Sequence, residues 1–206
     1  QIAEKGTSAH NVQTFKSSME EAVELMKKAY EKDSNVVGIE TNFRDLDQKL
    51  GGLHNSDLLI LAGRPSMGKT SLATNIAFNI AKKAHDNGDT DSNVAFFSLE
   101  MSAEQLATRI LSEQAKISSN DIRRGNLSES DLDNLVNVSK SILEIPLFID
   151  DTPAINMATL ASRARRIKRK HGLGIIIIDY LQLLRPAKVL RNDGRVQEVS
   201  EITQGL

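Results

Sequence analysis

Apolar residues at Phe15, Met19, Val23, Met26 and Tyr30 recur every three to four positions with charges between them, a spacing that predicts a helix over 14–31. Such a stripe, on a helix ahead of the rest of the chain, can pack on its own core or dock on a neighbouring subunit. Periodicity alone does not choose. The polar residues 1–13 before it read as disordered or as a linker remnant. Residues 34–41 read as connector, and Asp45–Leu50 as a helical turn stopped by Gly51-Gly52.

From there the pattern alternates. Leu58–Ala62 is a short apolar run that predicts a buried strand, followed by a glycine-bearing loop over 63–68. A helix to about Ala84 carries Leu72, Ile76 and Ile80 on one face, and 85–92 is a polar loop. Val94–Leu99 predicts a second strand, and Ser102 with Gln105 has the spacing of a capping box at a helix start. Another helix begins near Ser128, with Asp131 three residues on. Leu147–Asp150 predicts a strand, Met157–Lys170 a helix ended by His171-Gly172, and Gly174–Asp179 a strand with four consecutive isoleucines. A further helix pattern has started over 196–206 when the chain ends, so a fragment is expected.

Strands that read as continuous apolar runs between helices predict an α/β fold with a mainly parallel sheet buried on both faces. Ligands of such folds sit beyond the carboxyl ends of the strands. That rule places the loops after Ala62, Leu99 and Asp179 along one edge. Composition adds limits. Of 206 residues, 40% are hydrophobic and 26% charged, as in a globular domain, and the formal net charge of -1 makes no global case for nucleic acid. Without cysteine there is neither a disulfide scaffold nor a thiolate metal site. The start carries no charged-then-apolar signal pattern and no apolar run approaches membrane-spanning length, so a cytoplasmic protein without membrane contact is expected.

Gly63-Arg64-Pro65-Ser66-Met67-Gly68-Lys69-Thr70 matches G-x-x-x-x-G-K-[ST] between a predicted strand and a helix. Its glycines let successive backbone N–H groups turn toward phosphate oxygens, and the following helix adds its positive end. Lys69 supplies a cation for the β- and γ-phosphates, and the Thr70 hydroxyl a ligand for Mg²⁺. Asp179, at the end of the isoleucine strand, suits the Mg²⁺ carboxylate of such enzymes, acting through water, although any strand boundary can carry an acid. Glu100, at the end of the second strand, can activate a water beside the γ-phosphate or simply favour the next helix's dipole. Spacing leaves those two readings level.

GRPSMGKTSLA, FFSLEMS and IIIIDYLQLL, in that order, resemble the first three ATPase motifs of the DnaB-type replicative DNA helicases, a RecA-like P-loop family. The resemblance extends to GIETNFRDLDQKLGGL (38–53) and FIDDTP (148–153), and covers nearly all of the chain from about residue 14. It implies a RecA-like ATPase domain over 34–206, incomplete at its C-terminal end, preceded by a linker helix over 14–33 that packs on the adjacent subunit. It also implies ATP and Mg²⁺ as cofactors, with Lys69 and Glu100 catalytic and Thr70 and Asp179 at the metal. The nucleotide-contacting set runs from Gly63 through Ser71 and includes Arg109, which would otherwise be an exposed helix arginine. Implied partners are single-stranded or forked DNA, further copies of the chain in a hexameric ring, a primase and a helicase loader.

The resemblance also implies parts not present in these residues: a collar domain, a γ-phosphate-sensing glutamine and an arginine finger. Because such a finger contributes about 10³–10⁵ in rate, the chain alone is expected to be a weak ATPase and no helicase. Alternatives from other classes are a RecA-like recombination ATPase and a nucleotide-gated assembly scaffold. Two basic segments complete the candidate list. Arg163, Arg165, Arg166, Lys168, Arg169 and Lys170 share one helix whose apolar stripe is Met157, Leu160, Ala164 and Ile167, and a solvated face is the simpler reading. In the loop 185–195, Lys188, Arg191 and Arg195 are candidates for DNA phosphates, against an ordinary surface loop.

Overall fold

The computed structural model describes residues 14–31 and 36–184. Helix α1 (Phe15–Glu31) forms where the 14–31 pattern placed it, with Phe15, Met19, Val23, Met26 and Tyr30 all exposed. Helix α2 (Arg44–Leu50) ends at Gly51, which adopts the left-handed φ of 69° that a C-terminal stop favours. Then come α3 (Lys69–Asn87), β1 (Val94–Ser98), α4 (Ala103–Ala115), α5 (Ser119–Arg124), α6 (Glu129–Ile142), β2 (Leu147–Asp150), α7 (Met157–His171) and β3 (Ile175–Asp179). A 3₁₀ turn, Leu181–Leu183, follows β3.

The strands make a three-stranded, fully parallel sheet in the order β2-β1-β3, with Val94 opposite both Leu147 and Ile175. Alternate residues of the central strand face opposite helical layers. Val94 and Phe96 pack with Ala77, Ile80 and Ala81 of α3 and Leu106 of α4, while Ile175, Ile177, Leu147 and Ile149 join that cluster from the outer strands. Ala95 and Phe97 face the other way, onto Leu160 and Ala164 of α7, with Ile178 beside them. Burial on both faces explains why β1 reads as an unbroken apolar run.

Helix ends follow local chemistry. Ser102 and Gln105 form a complete capping box on α4, and Ser128 and Asp131 another on α6. Helix α3 runs to Asn87, one turn past its expected end, because Ala84 continues the buried stripe and Gly88 supplies the left-handed stop at φ 65°. The short α5 has no counterpart in the sequence reading, although Ser118 and Gly125 bracket it as cap and stop.

One expected strand is not observed. Leu58–Ala62 pairs with no strand among the described residues, and Leu58, Leu59, Ile60 and Leu61 are 47–76% exposed. An apolar run becomes a strand only where a sheet edge accepts its backbone groups. Among the described residues the outer edge of β3 is unpaired, and Ile176 on that strand is itself 43% exposed.

Polar groups fix the remaining connections. Asp47, buried, accepts from the Thr41 backbone N–H and hydroxyl, each at 2.8 Å, and Asn79 of α3 donates to the Thr41 carbonyl at 3.2 Å. The segment 41–47 is thereby tied to α3. At the far end of the sheet Gly172 has φ 82°, and a Cβ there would meet the Thr90 carbonyl oxygen at 2.2 Å. Gly172→Ala is therefore expected to destabilise by about 2–4 kcal/mol, combining left-handed strain with a clash against backbone. Gly125→Ala, with similar φ of 68° but nothing within 4 Å of its Cβ, is expected to cost only about 1 kcal/mol. Thermal unfolding of the two variants would check the difference.

Candidate functional site

The loop 63–68 is exposed throughout, and two of its residues have positive φ: Ser66 at 62° and Gly68 at 85°. Gly68 is the N-terminal cap of α3, so the loop feeds directly into a helix N-terminus. Lys69 folds back over the loop, its Nζ donating to the carbonyl oxygens of Gly63 at 2.9 Å and Arg64 at 3.3 Å. An ammonium held by two neutral carbonyls is available for exchange to an anion, which makes a stronger, charge-assisted contact. Thr70 is half-buried on the first turn, and its carbonyl accepts from the Thr74 hydroxyl at 2.7 Å.

The sheet sets the two acids side by side. Ser98 lies opposite Asp179 in the β1–β3 ladder, and the Leu99 N–H donates to the Asp179 carbonyl at 2.7 Å. Glu100 is thus two residues beyond the register partner of Asp179, at the carboxyl ends of adjacent parallel strands. Their environments differ. Glu100 is exposed, whereas Asp179 is 6% exposed and its Oδ2 has no hydrogen-bond partner. The peptide after Asp179 is cis. An unpartnered buried carboxylate oxygen costs about 1–3 kcal/mol, and its chemistry fits a hard cation or that cation's water. No group of three or more His, Cys, Asp or Glu able to hold a metal occurs among the described residues. A Mg²⁺ site needs none, since it takes one or two protein oxygens together with phosphates and waters.

Arg109 is also brought to the loop. Its guanidinium, half-buried on α4, donates to the Ser71 hydroxyl on the first turn of α3 at 3.0 Å. Lys69, Thr70, Ser71 and Arg109 thus form one neighbourhood, and Glu100 and Asp179 another at the strand ends. Lys188, Arg191 and Arg195 lie outside the described residues.

The family of DnaB-like helicase C-terminal domains matches residues 38–206. This chain belongs to that family. A replicative DNA helicase DnaB from Rickettsia typhi is 48% identical over 100% of this chain and 42% of its own length. The replicative DNA helicase DnaC of Bacillus subtilis is 41% identical over 98% of this chain and 42% of its own length. One solved ATPase domain superposes with a TM-score of 0.79 at 31% identity, covering 91% of this chain and 64% of that one. A DnaB-like replicative helicase, solved with its interactions with primase, gives 0.76 at 31% identity over 91% and 43% of the two chains. The chain therefore spans 42% of the length of these curated relatives. The DnaB-like fold bears out the α/β reading with a mainly parallel sheet, made from strand–helix alternation, and the RecA-like assignment that the resemblance implied. No described helix is long and apolar enough to cross a membrane.

Sequence reading does not single out several groups that shape this DnaB-like site. The Ser98 hydroxyl donates to the Met101 carbonyl at 2.6 Å, and Asp151 Oδ2 accepts from the Ala103 N–H of α4 at 2.9 Å. The adjacent acids of 148–153 were the available signal. Arg163 also departs from the solvated-face reading of α7. It contacts Asp150 Oδ1 at 2.8 Å, Asp150 Oδ2 at 2.6 Å and the Thr152 hydroxyl at 2.6 Å, while Arg165, Arg166, Lys168, Arg169 and Lys170 are exposed as expected.

Burial pushes the Asp150 carboxyl up, but its bonds to Arg163 and Thr152 outweigh that, holding it below its ordinary value of 3.8. A depressed folded value means the stabilisation is complete above the unfolded value, about 3.9, and is lost as pH falls through the folded value. Arg163→Leu is expected to cost about 1–2 kcal/mol near neutral pH, since Arg163 is partly exposed, with the cost shrinking below about pH 4. Urea unfolding of both proteins at neutral and acid pH would check the sign.

Proposed function

We propose that this chain is the ATPase motor of a replicative DNA helicase that moves along single-stranded DNA and opens duplex at the fork. Its family membership supports this over a recombination ATPase or an assembly scaffold. The observation that carries the catalytic part is the pair of strand-end acids, one exposed and one buried with a free oxygen, on a sheet packed against the helix that the G-x-x-x-x-G-K-T loop opens.

In this reading Gly63, Arg64, Pro65, Ser66, Met67 and Gly68 wrap the phosphates of ATP with their backbone N–H groups. Lys69 moves from the Gly63 and Arg64 carbonyls to the β- and γ-phosphate oxygens. Thr70 and Asp179 would hold Mg²⁺, Asp179 through water, and the ion would supply positive charge against the phosphate oxygens. Glu100 takes a proton from the attacking water, its exposure leaving the carboxylate free to reach that water. Ser71 and Arg109 complete the nucleotide contacts.

The exposed loop leaves one side of the site open to a neighbouring subunit, in keeping with a ring hexamer whose active sites lie at subunit interfaces. The exposed apolar stripe of α1 supports the reading of 14–33 as a linker helix that packs on that neighbour, ahead of a motor over 34–206 and after a linker remnant over 1–13. Lys188, Arg191 and Arg195 would contact DNA phosphates, and primase and a helicase loader are the proposed protein partners in the cytoplasm. A solved relative described with its interactions with primase supports the former.

Three substitutions in the full-length gene product separate these roles. Lys69→Ala is expected to abolish measurable ATP binding. Glu100→Gln should retain ATP and Mg²⁺ binding while turnover falls by about 10²–10⁴. Asp179→Asn should raise the Mg²⁺ concentration needed for half-maximal turnover. Fluorescent-nucleotide titration with a phosphate-release assay measures all three, and wild-type turnover in Glu100→Gln would remove Glu100 from the mechanism.

A further inference from the structure

Glu100 lies in a short turn that is tied down on both sides. Before it, the Leu99 N–H is bound to the Asp179 carbonyl. Across it, the buried Ser98 hydroxyl reaches the Met101 carbonyl at 2.6 Å. After it, the Ser102–Gln105 capping box opens α4. The next free N–H of that helix, on Ala103, is taken by Asp151 Oδ2 at 2.9 Å. Asp151 is 48 residues away in sequence and belongs to the connection between β2 and α7.

That connection is itself braced. Arg163 of α7 holds both oxygens of Asp150 and the Thr152 hydroxyl, and the Thr152 N–H donates to Asp150 Oδ1 at 3.1 Å. Asp150 and Thr152 are therefore bound to α7, and the residue between them reaches across to α4. At its middle α4 is fixed again, by Arg109 on the Ser71 hydroxyl. The helix carrying the Glu100 turn is thus held at one point to the phosphate-loop helix and at another to the β2–α7 connection.

We infer that Asp151 is a positioning residue for Glu100: braced by the Asp150–Arg163–Thr152 cluster, it pins the first turn of α4 and so sets where the Glu100 carboxylate points. The inference rests on Glu100 being the base proposed above. Only Met101 and Ser102 separate Glu100 from the pinned N–H of Ala103. Without an acceptor, the first turn of a helix exposes an unpaired donor and can fray. Displacing a catalytic group by about 1 Å can cost about 10² in rate. A purely structural contact would lower thermal stability while leaving turnover at saturating ATP intact.

Asp151→Ala, Asp151→Asn and Glu100→Gln in the full-length gene product, assayed for ATP affinity, kcat and melting temperature, test this. Asp151→Ala is expected to lower kcat roughly 10- to 100-fold with ATP affinity within about 2-fold of wild type. Asp151→Asn keeps an oxygen acceptor for the Ala103 N–H and should recover most of the lost kcat. The inference is overturned by wild-type kcat in Asp151→Ala, by kcat and affinity falling together, or by Asp151→Asn being as impaired as Asp151→Ala. Loss of turnover in Glu100→Gln beside normal turnover in Asp151→Ala rejects the positioning role alone. Normal turnover in Glu100→Gln rejects the base assignment and this inference with it.

Discussion

A parallel ladder brings the carboxyl ends of its strands out on the same side, and the β1–β3 ladder does so with Ser98 opposite Asp179. Register is strict because side chains alternate between faces. A slip of one residue would turn Ile175 and Ile177 away from α3 and swing Asp179 to the opposite face. The apolar packing of β3 and the placement of its terminal acid are therefore one constraint. Glu100 inherits its position from the same ladder, through the Leu99 N–H bound to the Asp179 carbonyl.

The layers on either side of that ladder carry the remaining site groups. Helix α3 packs Ala77, Ile80 and Ala81 on the sheet at one end and begins at Lys69 and Thr70 at the other, so core burial and the position of the loop 63–68 are coupled through one helix. Buried polar bonds limit how that helix can move. Asn79 holds Thr41, and Thr41 holds Asp47, which anchors the segment preceding the loop. Thr41 and Asp47 are buried and Asn79 half-buried, so separating these paired groups would cost stability, which makes the arrangement specific as well as stable.

What could be read from the sequence was whatever depends on near neighbours. The two capping boxes, the glycine stop of α2 and the stripe of α7 each lie within a few residues, and each appears where its pattern places it. Long-range pairing was legible only where apolar character was strong enough to require two covered faces, as in β1. Leu58–Ala62 shows the limit: its residues suit a strand, but strand formation depends on a partner edge that the run itself does not encode. Arg163 and Asp151 show another. An arginine among five basic neighbours looks like solvated charge until the fold sets Asp150 beside it, and the acceptor for Ala103 comes from 48 residues away.

Asp179 carries a tension between stability and the proposed chemistry. Its Oδ2 is buried without a partner, a state that folding alone disfavours by about 1–3 kcal/mol. A neutral side chain of similar size would relieve much of that cost at the end of an isoleucine strand. The proposed Mg²⁺ role gives the oxygen a reason to be there, since a cation or its water would satisfy it when nucleotide is bound. Anything that binds only the folded state stabilises it, so the same atom that weakens the empty site would strengthen the occupied one. Site and fold would then be thermodynamically linked through one carboxylate oxygen, held in place by the register of β3 against β1.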